Sequence, residues 1–203
     1  MKRKILVAFA TEGEAAAFLK TTQAHPCIPG LRYRFSMGEI LITGVGCLRA
    51  ATAVAGLLCG FDEVWNMGIA GTLNNGLSVG AVVEIQSVSK HLSFPDDIDS
   101  HSHEVSSKVF APLSVSDEGK RLITSDYPIY GGMQRLALAS KADVIDMEGY
   151  GIATAAYLYG KPCRFWKVVS DHANLQEYHL IKKQMPAWSE KMATVLNDVT
   201  NGL

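Results

Sequence analysis

The sequence predicts an α/β fold built as a single domain over residues 1–203. Three observations predict it. Short β-rich runs alternate with helical segments along most of the chain. The first of those runs, Ile5–Phe9, is apolar without interruption, the pattern of a strand buried on both faces. A length near 200 residues holds one ordinary domain, and neither a linker nor a repeat divides it. An apolar fraction of 48% against 19% charged excludes a disordered chain and supplies a substantial core.

Taken in order, a helix from about Glu14 to Lys20 follows the first strand. Arg32–Ser36 and Glu39–Thr43 read as a hairpin around Met37-Gly38. Leu48–Cys59 is alanine-rich and sets Leu48, Ala51, Ala55 and Leu58 on one face, which predicts a buried helix. Val64–Met67 is a short strand running into a glycine turn, Gly68-Ile69-Ala70-Gly71, and Ala81–Val88 is a longer strand. Between Lys90 and Lys108 the periodicity is lost and Ser, Asp and His dominate, which predicts a long surface loop. Leu122–Ser125 reads as a strand, Met133–Lys141 as a helix, Val144–Met147 as a strand, Gly151–Tyr159 as a helix and Cys163–Ser170 as the last strand. From Asn174 to Val199 the apolar positions Leu175, Tyr178, Ile181, Met185, Trp188, Met192, Val195 and Val199 define an amphipathic helix, which Pro186 is expected to kink or split.

Composition excludes several functions. The 19 Lys and Arg against 20 Asp and Glu leave a net charge of −1, so there is no basic field to hold a nucleic-acid backbone. The apolar run after Lys2-Arg3-Lys4 ends at Thr11-Glu12, too early for a secretory signal. The stretch Ala50–Phe61 is broken by Thr52, Gly56 and Gly60 and falls short of the roughly 20 residues of a membrane span. Cys27, Cys47, Cys59 and Cys163 form no CxxC pair and read as free thiols of a cytoplasmic protein.

In an open α/β sheet, ligands bind just beyond the carboxyl ends of the strands. Glu12 and Glu14 follow the first strand, Glu148 ends the strand Val144–Met147, and Asp171 ends Cys163–Ser170. With the Gly68–Gly71 turn, these carboxylates are expected to converge on one rim. Glu14 and Asp171 both precede helices, so helix capping is the alternative use of each. A dinucleotide site at Gly44-Val45-Gly46-Cys47-Leu48-Arg49 is disfavoured. Arg49 stands where a third glycine is needed, and the acidic pair Asp62-Glu63 precedes its strand instead of ending it. The cluster Asp96, Asp97, Asp99, His101, His103 and Glu104 has the composition of a metal site but lies within one loop with no partner motif, so no metal is expected. No GxSxG elbow or Walker loop is present, and Cys27, in a Pro-rich turn, has no base beside it.

Five stretches together resemble the purine nucleoside phosphorylase and nucleosidase superfamily. They are Val7-Ala-Phe-Ala-Thr-Glu-Gly-Glu14, Thr43-Gly-Val-Gly46, Asn66-Met-Gly-Ile-Ala-Gly71, Asp146-Met-Glu-Gly-Tyr-Gly-Ile-Ala153 and Val169-Ser-Asp171. Within that superfamily they are similar to the 5′-methylthioadenosine/S-adenosylhomocysteine nucleosidases and the futalosine hydrolases. The resemblance implies a mixed central sheet flanked by helices, a homodimer, a small-molecule nucleoside substrate and no cofactor. It implies that Glu14 activates water, Asp171 protonates N-7 of the purine and Glu148 holds the ribose hydroxyls. Met147 would pack beneath the sugar, Ser170 would hold the Asp171 loop, and Ala70 and Gly71 would line the ribose side. Ser125–Ile129 matches the segment that contacts the base. Pro128 occupies its usual aromatic position, so Tyr127 or Tyr130 is expected to supply the stacking wall, with Ile129 beside it.

This assignment agrees with the chemistry. Cleaving an N-glycosidic bond leaves an oxocarbenium-like sugar and a purine anion, a poor leaving group unless protonated. Asp171 then has to hold a proton near neutral pH while Glu14 is ionised, the usual acid/base split between two carboxyls in different surroundings. A phosphorylase needs cationic donors for phosphate, whereas the first loop offers acids and the position near Val88 is apolar. Water is the expected nucleophile. An aspartate at position 171 can accept from a 6-amino group, which favours adenine nucleosides: methylthioadenosine, S-adenosylhomocysteine or aminodeoxyfutalosine. A futalosine hydrolase releasing hypoxanthine is the first alternative and a non-catalytic purine-nucleoside-binding module the second. A dehydrogenase comes third.

Overall fold

The first apolar run forms the strand its sequence predicts, β1 (Ile5–Phe9), with all five residues buried. Its side chains alternate between two cores, as the period of a strand requires. Leu6 and Ala8 face one, and Ile5, Val7 and Phe9 face the other. The computed structural model describes residues 3–92, 111–129, 132–174 and 177–202. The remaining elements are α1 (Glu12–Thr21), β2 (His25–Ile28), β3 (Arg32–Phe35), β4 (Gly38–Ile42), α2 (Cys47–Ala55), β5 (Glu63–Thr72), β6 (Val82–Lys90), β7 (Leu113–Ser114), β8 (Lys120–Thr124), α3 (Gly132–Ala139), β9 (Val144–Asp146), α4 (Gly149–Leu158), β10 (Cys163–Asp171) and α5 (Tyr178–Asn201). A 3-10 turn, Leu58–Gly60, separates α2 from β5.

The sheet is mixed, as expected, but it is not simply open. It runs β10-β6-β8-β9-β5-β1-β4-β3-β2, and β10 also pairs with β5. Five strands therefore close on themselves, while β1, β4, β3 and β2 extend from β5 as a wing. Strand β5 makes this possible by changing partners along its length. Glu63–Asn66 pair in parallel with β1, and Gly71 and Thr72 pair antiparallel with β9. Helices α2 and α4 cover one face, with Ala50, Val54, Ile152 and Ala153 in its core. Helices α1 and α5 cover the other, with Phe18, Trp188 and Met192.

Several elements depart from expectation for identifiable reasons. The glycine turn Gly68–Gly71 stays within β5, because β10 pairs beside it as far as Gly71. The helix predicted over Leu48–Cys59 ends at Ala55, and Leu48 lies 80% exposed. The buried face is instead that of Ala50 and Val54, turned toward α4. There, a Cβ on Gly151 would stand 2.2 Å from the Cys47 carbonyl oxygen, so only glycine permits the crossing. The Pro-rich turn around Cys27 is an edge strand, β2, with all four residues exposed, a place where Pro26 costs the ladder little. The short β7 carries no sequence signal. Pro186 lies within α5 without splitting it. Packing of Trp188, Met192 and Leu196 into the core holds the helix across the missing hydrogen bond. Most of the predicted 90–108 loop, with its Asp/His cluster, lies outside the described residues, as do Tyr130, Leu175 and the side chain of Tyr178.

Candidate active site

Helix α1 begins two residues before the predicted start because Thr11 is its N-cap. Thr11 Oγ1 accepts from the Glu14 N–H at 3.2 Å, and Glu14 Oε2 accepts from the Thr11 N–H at 2.8 Å, a reciprocal capping box. Glu14 thus serves the helix with one oxygen and faces β5 with the other: Oε1 accepts from the Ile69 N–H at 3.1 Å. The approach is close. A Cβ on Gly68 would lie 3.2 Å from that oxygen and 3.3 Å from Lys167 Nζ. Glu12, expected on the same rim, turns away and accepts from the Tyr33 hydroxyl.

Beneath Glu14 and Glu148 lies a buried ion pair that the sequence reading missed. Lys167 Nζ meets Asp146 Oδ2 at 2.8 Å, with both side chains 1% exposed. Asp146 also accepts from Thr124 Oγ1 at 2.7 Å and from the Gly149 N–H at 2.9 Å. Thr124 Oγ1 accepts in turn from the Tyr150 N–H at 2.8 Å. The first amides of α4 are therefore satisfied by Asp146 and Thr124, which frees the Glu148 carboxylate from capping. Glu148 Oε1 accepts instead from the Gly46 N–H at 2.8 Å, across the α2–α4 contact. A lysine inside the apolar run Phe165-Trp166-Lys167-Val168-Val169 was the available signal, since a charge buried in a strand needs a partner.

Burial raises the Glu14 carboxyl above its ordinary value, against the lowering effects of the Ile69 N–H, Lys167 and Thr11. Burial, and next the neighbouring charge of Asp146, push Glu148 up to about 7, with Lys167 and the Gly46 N–H opposing. Asp171 is buried at the end of β10. Its Oδ2 accepts from Ser170 Oγ at 2.5 Å and its Oδ1 from the Ala173 N–H at 2.7 Å. It caps no helix, because α5 starts only at Tyr178 with Glu177 as its N-cap.

Nine of the residues expected in the site, Glu14, Ala70, Gly71, Tyr127, Ile129, Met147, Glu148, Ser170 and Asp171, line one cavity of about 320 Å³. That size suits a small ligand. Pro128 also lines it, beside Tyr127, whose ring stands edge-on to His91. Lining residues not foreseen as such include Val45 from the glycine loop, Thr11, Asp146, and Ile181 and Met185 from α5. The amphipathic pattern had placed Ile181 and Met185 on the core face, which at this end of the helix is the cavity wall. Among the described residues no Lys, Arg or His lines the cavity, and no cluster of metal-binding side chains occurs. No helix among them is long and apolar enough to cross a membrane.

A rolled mixed sheet thus gathers carboxylates at its strand ends around one cavity, the arrangement of an α/β enzyme with a small-ligand site. The chain belongs to the phosphorylase superfamily, whose model matches residues 4–118 and 119–201. This is a family of enzymes acting on N-glycosidic bonds. Among solved structures, the chain is similar to a futalosine hydrolase mutant of Helicobacter pylori, with a TM-score of 0.85 and 16% identity over 99% of this chain and 100% of that one. It is also similar to a 5′-methylthioadenosine/S-adenosylhomocysteine nucleosidase variant of H. pylori with 5′-methylthioadenosine in the active site, with a TM-score of 0.79 and 16% identity over the whole of both chains. A third similar structure is an S-adenosylhomocysteine nucleosidase of Streptococcus pyogenes, with a TM-score of 0.78 and 22% identity over 96% and 94% of the two chains. No curated protein sequence matches.

Proposed function

We propose that this protein hydrolyses the N-glycosidic bond of a 5′-modified adenine nucleoside and releases adenine. The substrates are methylthioadenosine, S-adenosylhomocysteine, 6-amino-6-deoxyfutalosine or more than one of these. One observation carries the reading: Glu14, Glu148 and Asp171 share a cavity that no cationic side chain among the described residues enters. The only charged side chains a phosphate nucleophile would meet among the described lining are carboxylates, and Lys167 is already neutralised by Asp146. Water meets no such repulsion.

In this reaction the C1′–N9 bond breaks and its electron pair stays with the purine. Asp171 delivers a proton to N-7, so the base leaves neutral. Glu148 accepts from the ribose 2′ and 3′ hydroxyls and favours the positive charge developing on the sugar. Met147 packs beneath the sugar, and Ala70 and Gly71 line its side. Glu14 takes a proton from the water whose oxygen bonds to C1′. A carboxylate raised above its ordinary value by burial is a stronger base at neutral pH, which suits that step. Tyr127 and Ile129 flank the base. Asp171 accepts from the 6-amino group, and this selects adenine.

Incubating the purified protein with methylthioadenosine, aminodeoxyfutalosine, futalosine and inosine tests the proposal. Adenine from the first two, with inosine poor, is the expected result. Inosine as the best substrate would overturn the Asp171 argument. The likeness to the H. pylori futalosine hydrolase favours one second reading, and hypoxanthine released fastest from futalosine would establish it.

We propose further that the enzyme is a cytoplasmic homodimer. Its four cysteines are free thiols. Leu48 and Met133 are about four-fifths exposed and Leu136 nearly two-thirds, which leaves apolar surface for a second copy to cover. Sedimentation equilibrium should return twice the 22.0 kDa chain mass, and a monomer at micromolar concentration would sink the dimer.

A further inference from the structure

Ala173 adopts a left-handed backbone, with φ at +50°, although its side chain is a buried methyl. Alanine takes that conformation only at a cost, so the surroundings must impose it. The conformation has a consequence for the site, because it aims the Ala173 N–H at Asp171 Oδ1, 2.7 Å away. Glu177 grips the residues on either side of Ala173. Its Oε2 accepts from the His172 N–H at 2.9 Å, and its Oε1 accepts from Asn174 Nδ2 at 3.2 Å. The Asn174 side chain returns the contact, its Oδ1 accepting from the Glu177 N–H at 3.0 Å. His172 Nδ1 lies 3.0 Å from Glu177 Oε2. Glu177 is the N-cap of α5, yet its side chain makes no capping bond to that helix. The carboxylate is directed wholly to the loop.

We propose that Glu177 is a positioning residue for the proton donor. By clamping His172 and Asn174 it holds Ala173 in its left-handed conformation and so fixes the Asp171 carboxyl where N-7 of the base is to receive its proton. The inference rests on the acid role assigned to Asp171 above. Burial raises the Glu177 carboxyl, but the bonds from His172 and Asn174 outweigh this and leave it below its ordinary value, as a clamp that acts in the ionised form requires.

Glu177→Ala tests the clamp. In the full-length protein, kcat on methylthioadenosine should fall about 10- to 100-fold, part of what a general acid contributes, with little change in KM or thermal midpoint. Glu177→Gln keeps an acceptor for the His172 N–H and should recover most of the loss. Hydrogen exchange at the His172 and Ala173 amides should quicken in Glu177→Ala and not in Glu177→Gln. An alanine variant with wild-type kcat, or one in which kcat, KM and midpoint all deteriorate together, would overturn the proposal. So would a glutamine variant as slow as the alanine one. If the wild-type protein cleaves no nucleoside, the proposed function falls, and the exchange rates still decide whether Glu177 holds the loop.

Discussion

Glu14→Gln is expected to lose turnover by about 10²- to 10⁴-fold while still binding the nucleoside. The substitution removes the base but little of the structure around it. Glutamine retains a carbonyl oxygen for the Ile69 N–H or the Thr11 N–H, and Thr11 Oγ1 still accepts from the backbone of residue 14. The buried charge that it removes is one that burial already disfavours. Single-turnover hydrolysis of methylthioadenosine, with binding followed separately, checks this. A near-normal rate would remove Glu14 from the mechanism. The sign of the pH dependence follows from the same environment. Glu14 and Glu148 act ionised and both are raised, so activity should fall on the acid side at a pH above the ordinary 4.5 of a glutamate, with Glu148 contributing near 7. An acid limb at or below 4.5 would contradict both roles.

Asp171→Asn should cost a comparable factor on adenine nucleosides, again about 10²- to 10⁴-fold. The asparagine oxygen can keep the Ala173 N–H, and the Ser170 hydroxyl can rotate to accept from the new amide, so the loop persists. What is lost is the proton for N-7. The asparagine also donates where aspartate accepts, so the adenine-over-hypoxanthine preference should weaken or reverse when the variant is assayed on matched 6-amino and 6-oxo nucleosides. Wild-type rates on methylthioadenosine would refute the acid assignment. An unchanged base preference at reduced rate would refute only the 6-amino contact.

Much of the site was legible in the sequence because strand ends can be recognised locally. Ile5–Phe9 and the run ending at Asp171 are unmistakably buried strands, and the rim of such strands is where ligands collect. Glu14, Glu148 and Asp171 could be proposed on that basis, and the cavity contains all three. Glu12 shows the limit of that reasoning. It sits two residues from Glu14 and is equally acidic, but the first turn of α1 points it toward Tyr33. The helix alternative for Glu14 was not wrong either. The same side chain completes a capping box and reaches the cavity, so the two uses did not compete.

Local pattern, with the order of the motifs, was enough to determine an α/β fold and to propose Glu14, Glu148 and Asp171 at its strand ends with no phosphate-binding cation among them. These depend on residue type and on a period of two or 3.6, which neighbours along the chain report directly. Only the tertiary structure decided that the sheet rolls partly closed through the β10–β5 pairing, that Leu48 faces outward and that Lys167 and Asp146 lie paired beneath the site. The same holds for the clamp that joins Glu177 to the Asp171 loop. Each of these is a contact set by packing or by hydrogen bonds that close only once the strands and helices have taken their places, and no window along the sequence contains that information.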